Sequence, residues 1–509
     1  IATIETTLDN AERVFGVTYK EPKEDILERI NQRITEHDEI QSGEIFKIIE
    51  SELKEEPLVL LAFKEFKRIE QENITNATDL DYQLNRYHNK DKYIMNENGN
   101  KDSRTYMTQR DLLCGTVAKA KGIMMYPEEV RRAHIKGILH LHDTDRSPYQ
   151  GLPNCSLPDF EYMLANGVNI GNAKLESPKA IGTAVSILGI LISAVSNEQY
   201  GGVSVHEVDK LLKPYAELTH EKNIELYKGA GSPANRIETL AKEKTIKDIY
   251  DAMQSIEYDI NTMSTSSAQT PFVTFSYGLG TGWIEREIQK QHLKVRYEGL
   301  GKDRITSIFP KILYFVQEGV NLKEGDPNYD IKKLAIKTSA SRIYPDMVNV
   351  DDLMALKGGK KPITAMGCRS YLHYWENKDG EEIYTGRNNL GVISVNLPHL
   401  ALQSKGDIEA FFDSLDDTLE LVRIGLHVRE DSVVNADIES LPLLYKEGGL
   451  GDPTGKTKVR DFYDGDRYKQ SSISIGFVGV HNAMVALTGD ENWQKNPEYN
   501  ELGLSIVKH

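Results

Sequence analysis

Four stretches of this chain carry residue types that chemistry can use. The first is His140-Leu-His142-Asp143-Thr-Asp145, at the end of an apolar run. In an extended strand, residues two apart face the same side, so His140 and His142 should project together. Two such imidazoles suit metal ligation, although no third ligand is evident; they equally suit a hydrogen-bonded core pair. Next comes Cys155, within Leu-Pro-Asn-Cys-Ser-Leu, whose loop-forming residues suit the C-terminal mouth of a strand. The third stretch is Ala365-Met-Gly-Cys368-Arg-Ser-Tyr. Gly367 permits a sharp bend and a close approach by substrate or another backbone, and Arg369 can tune nearby charge. A tight turn around a buried thiol is the plainer alternative. The fourth, Thr385-Gly-Arg-Asn-Asn389-Leu-Gly391, leads into the apolar run at 392–397. Turn chemistry alone accounts for Asn388 and Asn389. Asn389, however, stands at a strand entrance with an amide that both donates and accepts, which suits two adjacent hydroxyls such as those of a ribose.

The elements that would hold these residues follow from periodicity. Between Asp25 and Gln71, Ile26, Ile30 and Ile34 recur at helical spacing, as do Ile45, Ile48, Ile49 and Leu53. Ser42 is placed as an N-cap. Residues 70–101 are polar and aperiodic, which reads as a linker and an irregular entry to the next domain. From Asp102 onward helices (Met107–Ala120, Pro178–Ser196, His206–Lys228, Lys242–Met263, Asp407–Val428) alternate with buried-strand candidates (Gly137–His142, Phe272–Tyr277, Ile312–Val316, Gly391–Pro398, Ser472–Val480). Such alternation predicts an α/β architecture without separating a barrel from an open sheet. The glycines of Tyr277-Gly-Leu-Gly-Thr-Gly282 fit neither a phosphate loop nor a dinucleotide fingerprint, and read as a closely packed strand end.

Composition narrows the class. The 509 residues exceed what one core usually holds, and 39% hydrophobic with 27% charged residues is ordinary for a soluble globular chain. A net charge of −16 gives no sign of a basic surface, so no nucleic-acid partner is expected. Ile181–Val195 is too interrupted to span a bilayer and no secretory signal opens the chain, so no membrane partner and a cytoplasmic setting are expected. Three cysteines, Cys114, Cys155 and Cys368, are too few for a disulfide scaffold or a CxxC zinc site. No metal ligand set is therefore assigned.

Taken in order, His-Leu-His-Asp, Asn-Cys-Ser-Leu, Gln-Thr-Pro-Phe-Val-Thr, Glu-Gly-Leu-Gly, Met-Gly-Cys-Arg-Ser, Gly-Arg-Asn-Asn-Leu-Gly and Ser-Ile-Ser-Ile-Gly-Phe resemble the anaerobic (class III) ribonucleoside-triphosphate reductases, over nearly all of 102–509. Residues 24–71 are similar to the later half of an ATP-cone. The resemblance implies a partial ATP-cone over 1–75, an entry segment over 76–101, and a ten-stranded α/β barrel of two five-stranded halves over 102–509. A loop inside that barrel would carry Cys368, oxidised by a glycyl radical to the thiyl that removes the ribose 3′ hydrogen. It further implies Cys155 as the second, reducing cysteine, Asn389 as the residue positioning substrate or formate, and His140 as its helper. Formate is then the reductant and ribonucleoside triphosphates the substrates. Residues 165–179 resemble the family's dimer-interface effector region, with Glu176 and Lys179 as contacts; a solvated helix start with Pro178 at its first position is the alternative. ATP, dATP and other deoxynucleotide effectors, a radical S-adenosylmethionine activating enzyme and a homodimer or higher homo-oligomer complete the expectation. Cys114 is assigned to the core.

Two parts of the family pattern are missing: an Arg-Val-Ser-Gly-Tyr-like radical loop with its terminal cysteine quartet for structural zinc, and the basic first part of an ATP-cone. Both are expected to lie outside this sequence. Two rival readings remain at this level, another glycyl radical enzyme of the formate-lyase type and a catalytically silent nucleotide-sensing module.

Overall fold

The computed structural model describes residues 2–15, 19–37, 40, 42–56, 59–60, 63–64, 105–146, 151–263, 265, 269–367, 371, 373–463 and 470–509. Cys368, Arg369 and the expected linker at 76–101 lie outside the described residues. The chain divides into two compact units, Ile1–Met95 and Asn96–His509.

In the first unit, helices Ala2–Phe15, Lys23–Thr35 and Ser42–Glu52 close on Leu8, Ile26, Ile30, Ile48, Ile49 and Leu53. The isoleucine spacing read from the sequence thus marks the buried stripes. The third helix begins at Ser42 itself. Glu56, only 3% exposed, accepts the backbone N–H groups of Lys20 and Glu21 at 2.6 and 3.1 Å.

The second unit is α/β, as the alternation predicts. Its strands are β1 (Leu139–Leu141), β2 (Cys155–Leu157), β3 (Val168–Ile170), β4 (Ala173–Leu175), β5 (Val203–Val205), β6 (Val273–Tyr277), β7 (Lys311–Val316), β8 (Asp346–Asn349), β9 (Trp375–Glu376), β10 (Glu382–Ile383), β11 (Arg387–Asn396) and β12 (Ser471–Val478). One sheet runs β1-β11-β2-β5-β6-β7-β8, with β12 added on β11. The five strands β2, β5, β6, β7 and β8 are mutually parallel, β11 runs antiparallel to β2 and β1, and β12 runs parallel to β11. Among the described residues this sheet has eight strands; of the other four, β3 pairs only with β4 and β9 only with β10.

Burial explains the sequence of the parallel half. All five residues of β6 are buried, as expected for a strand covered on both faces. Val203, Val205, Val273 and Phe275 pack outward with Leu188, Ile192, Ile256 and Ile288 of the covering helices. Helix Ile181–Val195 alone buries eight residues, and each large aliphatic among them contributes about 1.5–3 kcal/mol. No described helix is long and apolar enough to cross a membrane. A second core joins β1 and β11 to helices Leu397–Ser404, Ile408–Val434 and Val480–Thr488 through Leu139, Ile393, Val395, Phe411, Leu415 and Met484.

The glycine-rich strand end is packed as closely as the sequence suggests. A Cβ on Gly278 would sit 2.6 Å from the Phe315 carbonyl oxygen, and one on Gly280 would sit 2.8 Å from Asp209 Oδ2. Asp209 is fully buried and accepts the Gly280 N–H and the Gln289 amide. Burial, with Glu207 nearby, pushes its carboxyl up to about 6. Glu198, 9% exposed, accepts the Leu443 and Leu444 N–H groups, and burial pushes it up to about 7. Both acids bind protons more tightly folded than unfolded. Their stabilisation is full below about pH 4 and is lost as pH rises through 6 to 7, with a slope of at most about 1.4 kcal/mol per pH unit for each group. Urea midpoints between pH 5.5 and 8 should therefore fall with pH, and Glu198→Gln should flatten that fall. An unchanged slope in the variant would remove Glu198 from the account.

Candidate active site

The long strand β11 brings the sequence clusters together. Its first residues pair with β2, so that Asn389 stands opposite Cys155 in the ladder, 234 positions later in the chain. Its second half pairs with β1, setting Ser394 opposite His140. Against β12 the register slips between Asn389 and Val392, where Leu390 and Gly391 of β11 face the single Ile473 of β12. A bulge of this kind redirects side chains. Here Asn389 Nδ2 donates to Ser472 Oγ at 3.1 Å and to Ser474 Oγ at 2.7 Å.

Cys155 opens β2 as a buried strand residue, not as part of a loop at a strand's C-terminal mouth. Its thiol donates to Asn154 Oδ1 at 3.4 Å and accepts the Gly202 N–H at 3.2 Å. Asn154 Nδ2 in turn donates to Asn389 Oδ1 at 3.1 Å. One amide thus joins the thiol to Asn389. The two hydroxyls that the sequence suggested for Asn389 are protein serines in this structure, so a ribose would have to exchange with Ser472 and Ser474.

The segment ahead of Cys368 lies against the same spot. Gly367, at φ +46°, is in the left-handed region open to glycine. A Cβ on it would lie 2.8 Å from Cys155 Sγ. Described chain therefore brings the residue before Cys368 to the thiol of Cys155.

His140 and His142 do project together, with ring centroids 4.6 Å apart. His142 Nε2 lies 2.8 Å from Ser394 Oγ, whereas His140 also contacts the His134 ring at 5.5 Å. Burial lowers the proton affinity of both rings, with Lys119 adding to the effect at His140 and His140 and Arg429 at His142. Uncharged rings are suited to hydrogen-bonding a polar substrate. Among the described residues no group of three or more His, Cys, Asp or Glu could hold a metal.

Sequence reasoning missed two further residues here. Arg429, 5% exposed on helix Ile408–Val434, donates to the Tyr200 hydroxyl, and its Nε would lie 3.2 Å from a Cβ on Gly391. Nothing in the local pattern marked this arginine, which stands among other charged residues of its helix, Arg423, Glu430 and Asp431. Tyr200 had a weak signal in the Gly201-Gly202 pair after it.

Other expectations fall elsewhere. Glu176 and Lys179 are both exposed, between β4 and the helix that follows. That helix begins at Ile181, because Ala180 is extended at φ −160° and ψ 153°, so Pro178 is not its first residue. Cys114 is exposed on helix Tyr106–Met124 and belongs to no core.

A sequence model described as anaerobic ribonucleoside-triphosphate reductase matches residues 97–509. The proteins of that name from Escherichia coli K12 and Enterobacteria phage T4 are each 42% identical to this chain. These matches cover 82% and 79% of this chain and 58% and 67% of the relatives. The Haemophilus influenzae protein is 39% identical over 94% of this chain and 67% of its own length. The chain thus spans 58% of the Escherichia coli relative. The Thermotoga maritima anaerobic ribonucleotide reductase, solved with dATP and CTP, aligns at a TM-score of 0.56 and 17% identity, covering 83% of this chain and 68% of that one. That similarity speaks for the fold. On the sequence match over 97–509, the chain belongs to the anaerobic ribonucleoside-triphosphate reductase family.

Proposed function

We propose that this chain forms the catalytic body of an enzyme that reduces ribonucleoside triphosphates to 2′-deoxyribonucleoside triphosphates without oxygen, using formate. In the overall reaction one formate and one proton reduce the 2′ C–O bond, and carbon dioxide and water leave. The observation that carries this reading is the meeting of Cys155, Asn389 and Gly367, three points far apart in sequence, at one place on the sheet.

A glycyl radical of the kind the family resemblance implies would supply the one-electron oxidation of the Cys368 thiol. Cys368 then takes the ribose 3′ hydrogen atom, which makes loss of the 2′ hydroxyl as water feasible. Cys155 provides reducing equivalents and formate restores them. Asn389 orients substrate or formate through its amide, with His140 and the adjacent His142 as uncharged hydrogen-bonding partners. The small and apolar residues Ala365 and Met366, 0% and 1% exposed, help keep water from the Cys155 thiol, against which Met366 packs. Structural zinc has no ligand set among the described residues, and no step is routed through it.

The same proposal includes closure into a ten-stranded barrel, an ATP-cone reading of the first unit and effector contacts at Glu176 and Lys179. It also includes a homodimer and an S-adenosylmethionine-dependent activating enzyme. Isotopically labelled formate tests the reductant. The activated holoenzyme should release one labelled carbon dioxide per deoxynucleotide, and Cys155→Ser should stop that release. Normal formate oxidation by the variant would remove Cys155 from its role. Effector binding without any turnover in the activated wild type would favour a nucleotide-sensing module instead.

A further inference from the structure

The inner faces of β5 and β6 carry a row of small polar residues that the reaction above does not use. Along β5 and its flanks, Gly202, Ser204 and His206 alternate with the outward-facing Val203 and Val205. On β6, Thr274 and Ser276 alternate with Val273, Phe275 and Tyr277. Ladder pairing puts Ser204 beside Thr274. Ser204, Thr274 and Ser276 are each at most 1% exposed, and burying a hydroxyl is unfavourable unless it is bonded.

Each of these groups is bonded to one segment, 364–367. Ser204 Oγ donates to the Ala365 carbonyl at 2.8 Å and accepts the Gly367 N–H at 3.2 Å, so one hydroxyl closes both ends of a turn. Thr274 Oγ1 donates to the Gly367 carbonyl at 3.4 Å. Thr364 Oγ1 lies 2.7 Å from Ser276 Oγ and 2.6 Å from His206 Nδ1. The other nitrogen of His206, Nε2, lies 3.3 Å from Glu207 Oε2, so the ring is held at both ends. Ser276 Oγ also accepts the Glu207 N–H at 2.9 Å, which holds Glu207 at φ +41°, unusual for a residue other than glycine. Gly202 leaves room for the close approach, since a Cβ there would lie 2.5 Å from Gly367 Cα.

We propose that Ser204 is a positioning residue, the double hydrogen-bond clasp that, with Thr274, Ser276 and His206, fixes where the chain enters Cys368. A hydrophobic barrel interior would hold such a segment by packing alone, and apolar packing tolerates sliding. Directional bonds to both Ala365 O and Gly367 N fix position along the strands and rotation about the chain. The next residue then starts from a defined point beside Cys155. This inference rests on the reading of Cys368 as the hydrogen-abstracting thiol.

Two measurements on Ser204→Ala test it together. In hydrogen exchange, the Gly367 amide should lose protection while the amides of β5 and β6 keep theirs. In the activated holoenzyme, kcat should fall about 10–100-fold with an unchanged nucleotide KM, the scale of a reacting group displaced by about 1 Å. Ser204→Thr, which keeps the hydroxyl, should recover most of that loss. Loss of protection across β5 and β6 as well would make Ser204 a packing residue and overturn the proposal. Unaltered Gly367 exchange with wild-type kcat would do the same. If Cys368→Ser remained active, the thiol assignment would fail instead, and the exchange result would still report on the clasp.

Discussion

Cys368→Ser is expected to reduce nucleotide turnover by on the order of 10⁴-fold or more, the scale seen when a reaction loses its covalent or radical-bearing group. Serine keeps the size and a hydrogen-bonding hydrogen but cannot hold a radical that exchanges hydrogen with a sugar carbon. Its oxygen therefore offers no substitute path. Effector nucleotides should bind the variant with wild-type affinity by calorimetry, since the proposed effector contacts Glu176 and Lys179 lie in another part of the chain, on the exposed segment before helix Ile181–Val195. An anaerobic turnover assay of the activated holoenzyme reads the loss. Weakened effector binding in the same variant would point to a folding defect.

Gly202→Ala should lower turnover by less, about 100-fold, although it changes no chemical group. The added methyl would meet Gly367 Cα at 2.5 Å and Phe272 Cδ1 at 2.7 Å. A ring edge can swing aside, but a backbone carbon cannot, so the segment at 364–367 has to move. Overpacking of this kind costs about 1–3 kcal/mol. Displacing a reacting group by about 1 Å costs about 100-fold in rate, and that is the expected fall in kcat. Gly229→Ala is the control, since a Cβ there meets nothing within 4 Å. Denaturation midpoints of the two variants separate lost stability from lost rate. Wild-type kcat in Gly202→Ala would show that the close approach to Gly367 is dispensable.

Much of this site could be read in the sequence because its residues sit in short, ordered motifs. Cys155, Asn389 and the Met366-Gly367 turn were each visible, and β11 and β2 bring two of them into direct register. Their joining groups were harder to see. Asn154 stands in its motif only as the neighbour of a cysteine, yet its amide spans the thiol and Asn389. Ser204 lies in a strand of three residues, too short for a period to stand out, although Gly-Val-Ser-Val-His does alternate. Arg429 is buried only because helix Ile408–Val434 packs on β11, a long-range fact that no local pattern carries. Strand edges shifted for a similar reason. His142 was expected inside β1, but the strand ends at Leu141 and Asp143 turns at φ +49°. Helices Trp283–Glu298 and Tyr329–Arg342 escaped because their polar residues dilute the apolar stripe; Glu285, Gln289, His292 and Arg296 of the first are themselves buried. Arg296 bonds the carbonyls of Ser307 and Pro310 and pairs with Glu257 at 3.1 Å, a buried polar cluster that hydrophobic periodicity does not detect.

A ribonucleoside triphosphate tritiated at the 3′ carbon reports whether Cys368 abstracts hydrogen from the ribose. The activated wild-type holoenzyme should discriminate against the tritium and release part of it to water during turnover. Cys368→Ser should release none above background. Tritium release by that variant at the wild-type rate would contradict the account.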